Sequence, residues 1–228
     1  MEKVFVVLLA AHLLADFLLQ PGWLIARKHR NSFLLLHALI QAALSYLFLQ
    51  AWSCWQLPLY IFLFHALIDF GKRNLKDTAA AFISDQLVHY ATILVLAWGL
   101  IHFGIIPGFL GAGYILMVIT AGFVATVKAA GFLVGKVTKT IIEENNIELS
   151  GLKNGGQWIG MLERALIFMF IFSDFPVGIG FLVVAKSILR FQEAKKSQMA
   201  EYVLIGTLLS FSLAIALAAA TKWALGLH

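Results

Sequence analysis

The sequence predicts an all-α fold, a polytopic transmembrane helix bundle of about eight spans with both termini outside. Three observations predict it. Of 228 residues, 61% are hydrophobic and 13% charged, against about 25% charged in a soluble domain. Mean hydropathy is +0.88. Basic residues collect in alternate loops between apolar runs, the pattern that sets orientation in a bilayer.

A spanning helix needs about 20 apolar residues, and eight segments approach that length. The first covers about 3–20 and stops at Pro21-Gly22. It lacks a basic leader and a convincing cleavage site, so it reads as a retained helix. The second covers about 32–52. The third, about 57–71, follows Pro58 and is short enough to be tilted or re-entrant. The fourth covers about 79–103. The fifth covers about 108–131 and runs on to about Glu143, with Gly135 as the one breaker there. The last three cover about 156–173, 176–194 and 200–225. The whole chain, 1–228, reads as one transmembrane domain in two halves, 1–103 and 104–228. Gly111, Gly113, Gly122, Ala125, Ala129 and Gly135 make the fifth segment rich in small residues, which suits close helix packing.

Charge gives the orientation. Arg27, Lys28 and Arg30 follow the first segment, and Lys72, Arg73 and Lys76 the third. Lys136, Lys139 and Lys153 follow the fifth, and Arg190, Lys195 and Lys196 the seventh. The loops near Ser53, Gly104 and Asp174 have no Lys or Arg. Four basic loops alternating with three uncharged or acidic ones place the basic side in the cytosol. The net charge of +5 is thereby explained without nucleic acid. Trp52, Trp55, Trp98 and Trp223 suit the interfaces. Cys54 is the single cysteine, so no intrachain disulfide is possible.

Within the first half, a His and an Asp stand four residues apart three times: His12 and Asp16, His65 and Asp69, Asp85 and His89. Residues at that spacing share a helix face. Composition alone gives roughly 0.3 such pairs. One pair in an apolar helix is most simply a self-neutralising pair. Three pairs at one predicted depth, with His37 on the second segment, ask for another explanation, because ionisable groups within a membrane are costly. Mixed imidazole and carboxylate ligands suit Zn, Mn or Fe. Seven candidates suffice for one ion, or for two sharing a carboxylate. Gln20, Gln41 and Gln86 are available to orient ligands. His29, in a basic loop, His102, near the outer interface, and terminal His228 fall outside this set, and Asp77 reads as a solvated loop charge.

The second half offers a different group near the same predicted side: Glu163, Arg164, Lys186, Arg190 and Glu201. Arg164, Lys186 and Arg190 are candidates to bind an anionic head group, and Glu163 is a candidate general base. Snorkelling to ordinary lipid phosphates and pairing with Glu163 are the competing roles.

The blocks H-x-L-x-D-F at His12, H-A-L-I-D-F-x-K at His65 and D-Q-x-x-H at Asp85 resemble the domain of unknown function 3307 family of small bacterial membrane proteins. So do the later blocks I-G-x-L-E-R, A-K-S-I-x-R-F and E-Y-V-L-I-G-T, which extends the resemblance over nearly the whole chain. It implies a multi-pass protein of the bacterial inner membrane and leaves activity open. A His-x-x-x-Asp pair in a membrane helix is also similar to the ion sites of cation-diffusion transporters and of membrane-bound metal-dependent hydrolases.

The expected function is therefore a membrane-embedded, metal-dependent hydrolase of phosphoester or amide bonds, acting on a lipid-linked or amphiphilic anionic substrate. The alternatives are a divalent-cation or proton-coupled transporter using the same ligands, and a structural or partner-binding subunit. The outer halves of the segments carry only isolated hydroxyls such as Ser45, Thr92, Ser173 and Ser210, which favours a one-sided site. H-E-x-x-H, G-x-S-x-G and the P-loop are absent.

Overall fold

The computed structural model describes residues 1–22, 30–106, 113–147, 152, 154–191 and 197–227, without the side chains of 189–191 and 197. Among these residues the chain is helical, with no strand. The helices are α1 (Glu2–Phe17), α2 (Asn31–Leu49), α3 (Gln56–Lys72), α4 (Ala79–His102), α5 (Tyr114–Val124), α6 (Ala130–Asn145), α7 (Gly155–Phe172), α8 (Val177–Phe191) and α9 (Ser197–Ala224). A π turn, Ala125–Ala129, joins α5 to α6. Helices stand at all eight predicted segments; the expected start of the fifth, about 108, and end of the seventh, about 194, lie outside the described residues. Arg27, Lys28, His29, Lys153, Lys195, Lys196 and His228 lie outside the described residues.

Among the described residues, four helices have the length and apolar composition to cross a membrane: Asn31–Leu49, Ala79–His102, Tyr114–Asn145 and Gln198–Ala224. Helices α1, α3 and α8 have 16, 17 and 15 residues, and at 1.5 Å per residue each spans roughly 22–26 Å. Helix α7 has 18 residues but carries Glu163 and Arg164 at its middle.

The chain divides into two compact units, Met1–Val124 and Ala125–His228; the sequence places the change of character at 103/104. In the first unit, α1 packs against α2, α4 and α5, and α3 packs between α2 and α4. Ala10, Ala11 and Ala15 are buried, and their small side chains let neighbouring helices approach α1 closely. The apolar core occupies one end of this unit. Val4, Val7 and Leu8 meet Leu49, Leu57, Ile61, Ile93, Ala97 and Leu100 there. The other end is polar and buried. Thr78 starts α4 by accepting a hydrogen bond from the Ala81 amide, the usual role of a threonine N-cap. Arg73 ties the end of α3 to the start of α2 through Asn31 at 2.7 Å.

In the second unit, α9 packs against α6, α7 and the π turn. The sequence gives no sign of that turn, since Ala-Thr-Val-Lys-Ala is an ordinary helical run. Arg164 explains it. Its Nε and Nη2 donate to the Val127 carbonyl at 3.0 and 2.8 Å, and its Nη1 donates to Ser210 Oγ at 3.1 Å. A π turn breaks the regular i to i−4 ladder, and the Val127 carbonyl within it accepts from the guanidinium. Glycine is needed beside that group. A Cβ on Gly131 would lie 2.5 Å from Arg164 Nη2, and one on Gly160 would lie 3.0 Å from Nη1.

Candidate metal centre

All seven His and Asp residues singled out by spacing meet in the buried polar end of the first unit. His12, Asp16, His37, His65, Asp69, Asp85 and His89 are each at most 7% exposed. Ring centroids lie 5.6 Å apart for His12 and His65, 4.8 Å for His12 and His89, and 4.4 Å for His65 and His89. His37 joins from α2, 4.9 Å from His65.

The order of residues within each pair builds this arrangement. Helices α1 and α3 read His then Asp, whereas the antiparallel α4 reads Asp85 then His89. Four residues advance a helix by about 6 Å. Reversing the order on the reversed helix keeps histidines in one layer and carboxylates in the next. Three self-neutralising pairs would have no need of that reversal.

The separations are longer than those of a hydrogen-bonded network. Among the described residues, His37 Nε2 and Asp16 Oδ1 form an imidazole–carboxylate hydrogen bond at 3.1 Å. Six other imidazole–carboxylate approaches lie at 3.5–3.8 Å, too long for good hydrogen bonds. Ligands held at about 2.0–2.1 Å around one tetrahedral ion stand roughly 3.3 Å apart. Among the described residues, His12 Nδ1, His65 Nε2, Asp85 Oδ1 and His89 Nε2 are buried with no hydrogen-bond partner. Such groups are costly unless something binds them. Three triads have ligand atoms within 4.8 Å of one another: His12, His65 and His89; Asp16, His37 and His65; Asp69, Asp85 and His89. The residues present therefore fit a metal ion.

Outer contacts orient the ligands. Gln86 Oε1 lies 3.4 Å from His12 Nε2, and Gln86 Nε2 donates to Asp85 at 3.2 Å. Gln41 donates to Ser45 at 3.1 Å. Gln20 lies beyond the end of α1. A cavity of about 20 Å³ adjoins the histidine layer, lined by His12, His65, His89, Gln41, Ser45 and Thr92 with apolar neighbours. That is room for one water molecule.

Residues 4–105 match the family described as protein of unknown function (DUF3307). Over these residues the chain is similar to the DUF3307 family. The matched region contains all seven members of the cluster. It ends well short of the later blocks that extended the resemblance along the sequence, so the match is narrower than the reading from motifs. No curated protein and no solved structure matches the chain.

The DUF3307 region holds one site residue that motif reading assigned only to a basic loop. Lys72 Nζ lies 2.5 Å from Asp85 Oδ2 and 3.5 Å from Asp69 Oδ1. The signal was the i, i+3 spacing from Asp69 within the H-A-L-I-D-F-x-K block, since residues so spaced are neighbours on a helix.

Of the residues proposed from the second half, Glu163, Arg164 and Lys186 have partners within the second unit. Lys186 Nζ lies 2.8 Å from Glu163 Oε2. Arg164 is buried against the π turn as described. Arg190 falls in α8, with its side chain outside the described residues. His102 stacks on Trp98 at 4.6 Å in the last turn of α4, apart from the cluster, as the sequence suggests.

Proposed function

We propose that the first unit is a membrane-embedded, metal-dependent hydrolase acting on a lipid-linked or amphiphilic anionic substrate from the cytosolic leaflet. The proposal includes eight spans with both termini outside, in a bacterial inner membrane. The observation that carries it is the set of imidazole–carboxylate separations of 3.5–3.8 Å around buried, partnerless histidine nitrogens, beside a cavity sized for one water. His12, His65 and His89, or Asp16, His37 and His65, would hold the ion. A metal bound there would acidify a water and polarise the scissile phosphoryl or carbonyl group.

The chain's own residues supply the rest. The His37–Asp16 hydrogen bond fixes one ring. Gln86 positions His12 and Asp85 from a single amide. The water-sized cavity lies against the histidines, and Gln41, whose Oε1 has no hydrogen-bond partner among the described residues, is placed to orient a water in it. Exposed Leu35, Leu39, Leu63, Leu67, Leu87 and Val88 surround the site on α2, α3 and α4. Apolar faces of that kind suit a substrate that arrives within the bilayer. A transporter would need a hydrated route through the other end of the unit, where Val4, Leu8, Leu57, Ile61, Ile93 and Leu100 pack together. That apolar seal favours a site served from one side.

The test is turnover. The full chain, purified in detergent and loaded with zinc or manganese, is offered phospholipids and short-chain phosphoesters and amides. Metal-dependent release of phosphate, alcohol or amine is expected, falling at least 100-fold in Asp16→Asn. Zinc flux into liposomes with no turnover of any substrate would overturn the hydrolase in favour of a transporter.

A further inference from the structure

The cluster is divided by what holds each part of it. Three aspartates contribute three negative charges, and the four histidines bind metal as neutral rings. Lys72 adds one positive charge from the last residue of α3. It reaches both Asp69 and Asp85, which with His89 form one of the three candidate triads. The sum is two negative charges, the complement of a single divalent ion. A second divalent ion would leave a buried excess of two positive charges, and it would have to enter beside an ammonium already on its carboxylates. Buried charge without compensation is costly. The two triads that Lys72 leaves open, His12/His65/His89 and Asp16/His37/His65, share His65.

We propose that Lys72 is the resident second cation of this cluster, holding Asp69 and Asp85, and that the site takes one divalent metal ion centred on His65, not two. The inference rests on the metal-binding reading above and deepens it. Lys72 sits at the end of α3 with its side chain one-third exposed, so its ammonium approaches from the rim of the cluster while the ion occupies the enclosed histidine end. In this arrangement the lysine does what a second metal does in a two-metal site: it neutralises the outer carboxylates and fixes their orientation. Replacing the ammonium with a neutral chain of similar length opens the third triad to a metal.

The test is stoichiometry. The full chain in detergent is loaded with zinc, desalted and analysed for metal per polypeptide, alongside a zinc titration. One equivalent is expected in wild type and in Lys72→Arg, and none in His65→Ala. Lys72→Met is expected to bind a second equivalent at least 100-fold more tightly than wild type does. Two tight equivalents in wild type would overturn the inference while leaving the metal site standing. So would a single equivalent in a folded Lys72→Met. If Lys72→Met fails to fold, Lys72→Gln is read the same way. No zinc or manganese in wild type after loading would overturn the metal reading itself.

Discussion

Glu163 and Arg164 in the second unit have protein partners at hydrogen-bond distance, Lys186 at 2.8 Å for one and the Val127 carbonyl at 2.8 and 3.0 Å for the other. In the first unit, His65 and His89 stop 3.5–3.8 Å from the nearest aspartate oxygens. Both units bury ionisable groups among apolar helices, yet among the described residues of the first unit His65 Nε2 and His89 Nε2 are left without a hydrogen-bond partner. A saturated cluster fixes helix packing. A cluster left short of hydrogen bonding, with several ligand types at metal-like spacing, could hold a metal ion. The contrast also separates two meanings of a charged residue in an apolar helix, which sequence alone presents identically.

The largest effect that would break the comparison is in metal-linked stability. A ligand that binds only the folded state stabilises it by about 4 kcal/mol at a thousandfold excess over its Kd. Zinc is therefore expected to raise the melting temperature of the wild-type chain in detergent, and His65→Leu is expected to abolish the rise. Without metal, His65→Leu should melt within about 1 kcal/mol of wild type, because it removes a buried group that has no hydrogen bond to lose. A large loss of metal-free stability in His65→Leu would mean that the first unit is as self-satisfied as the second.

Arg164 should behave in the opposite way. Arg164→Leu leaves the Val127 carbonyl and Ser210 without their donor and removes the group around which the π turn forms. Hydrogen bonds from a charged donor contribute about 1.5–3 kcal/mol each, so a loss of roughly 3 kcal/mol is expected, read as a lower melting temperature. Metal content per folded molecule should not change. A metal-deficient but fully stable Arg164→Leu would show that the second unit serves the site after all.

The sequence displayed the His/Asp cluster well because its geometry is local. Spacing of four residues on a helix specifies a shared face whatever the tertiary structure does. Charge alternation then placed four helix ends at one level, which selected His37 and left out His102. What the sequence hid was tertiary. The carbonyl of Val127 in the π turn at Ala125–Ala129 accepts from an arginine 37 residues away, and no local propensity encodes that contact. Lys72 looked like one more cytosolic loop charge because its partner Asp85 stands on the next helix. The reversal of Asp85 and His89 was visible in the residues, but its meaning depends on α4 running antiparallel to α3. Span counting was limited by the same blindness to packing. Helices α1 and α3 are short for a bilayer, and length alone did not reveal that α1 is largely enclosed by its neighbours.

The smallest expected effect sharpens the comparison most cleanly. Glu163 and Lys186 form a partly buried ion pair, with side chains 11% and 18% exposed. Removing Lys186 leaves Glu163 without its ammonium, whereas removing both charges together should restore much of the loss, since a paired charge and an apolar replacement are often close in energy. A double-mutant cycle over Lys186→Met and Glu163→Gln should therefore return a coupling of about 1 kcal/mol in melting experiments. Zinc binding should stay constant across all four proteins. Stability coupling without metal coupling is the signature of a structural pair. If either single variant shifts zinc affinity tenfold, Glu163 acts beyond its own unit, and the division between a satisfied and an unsatisfied cluster fails at that residue.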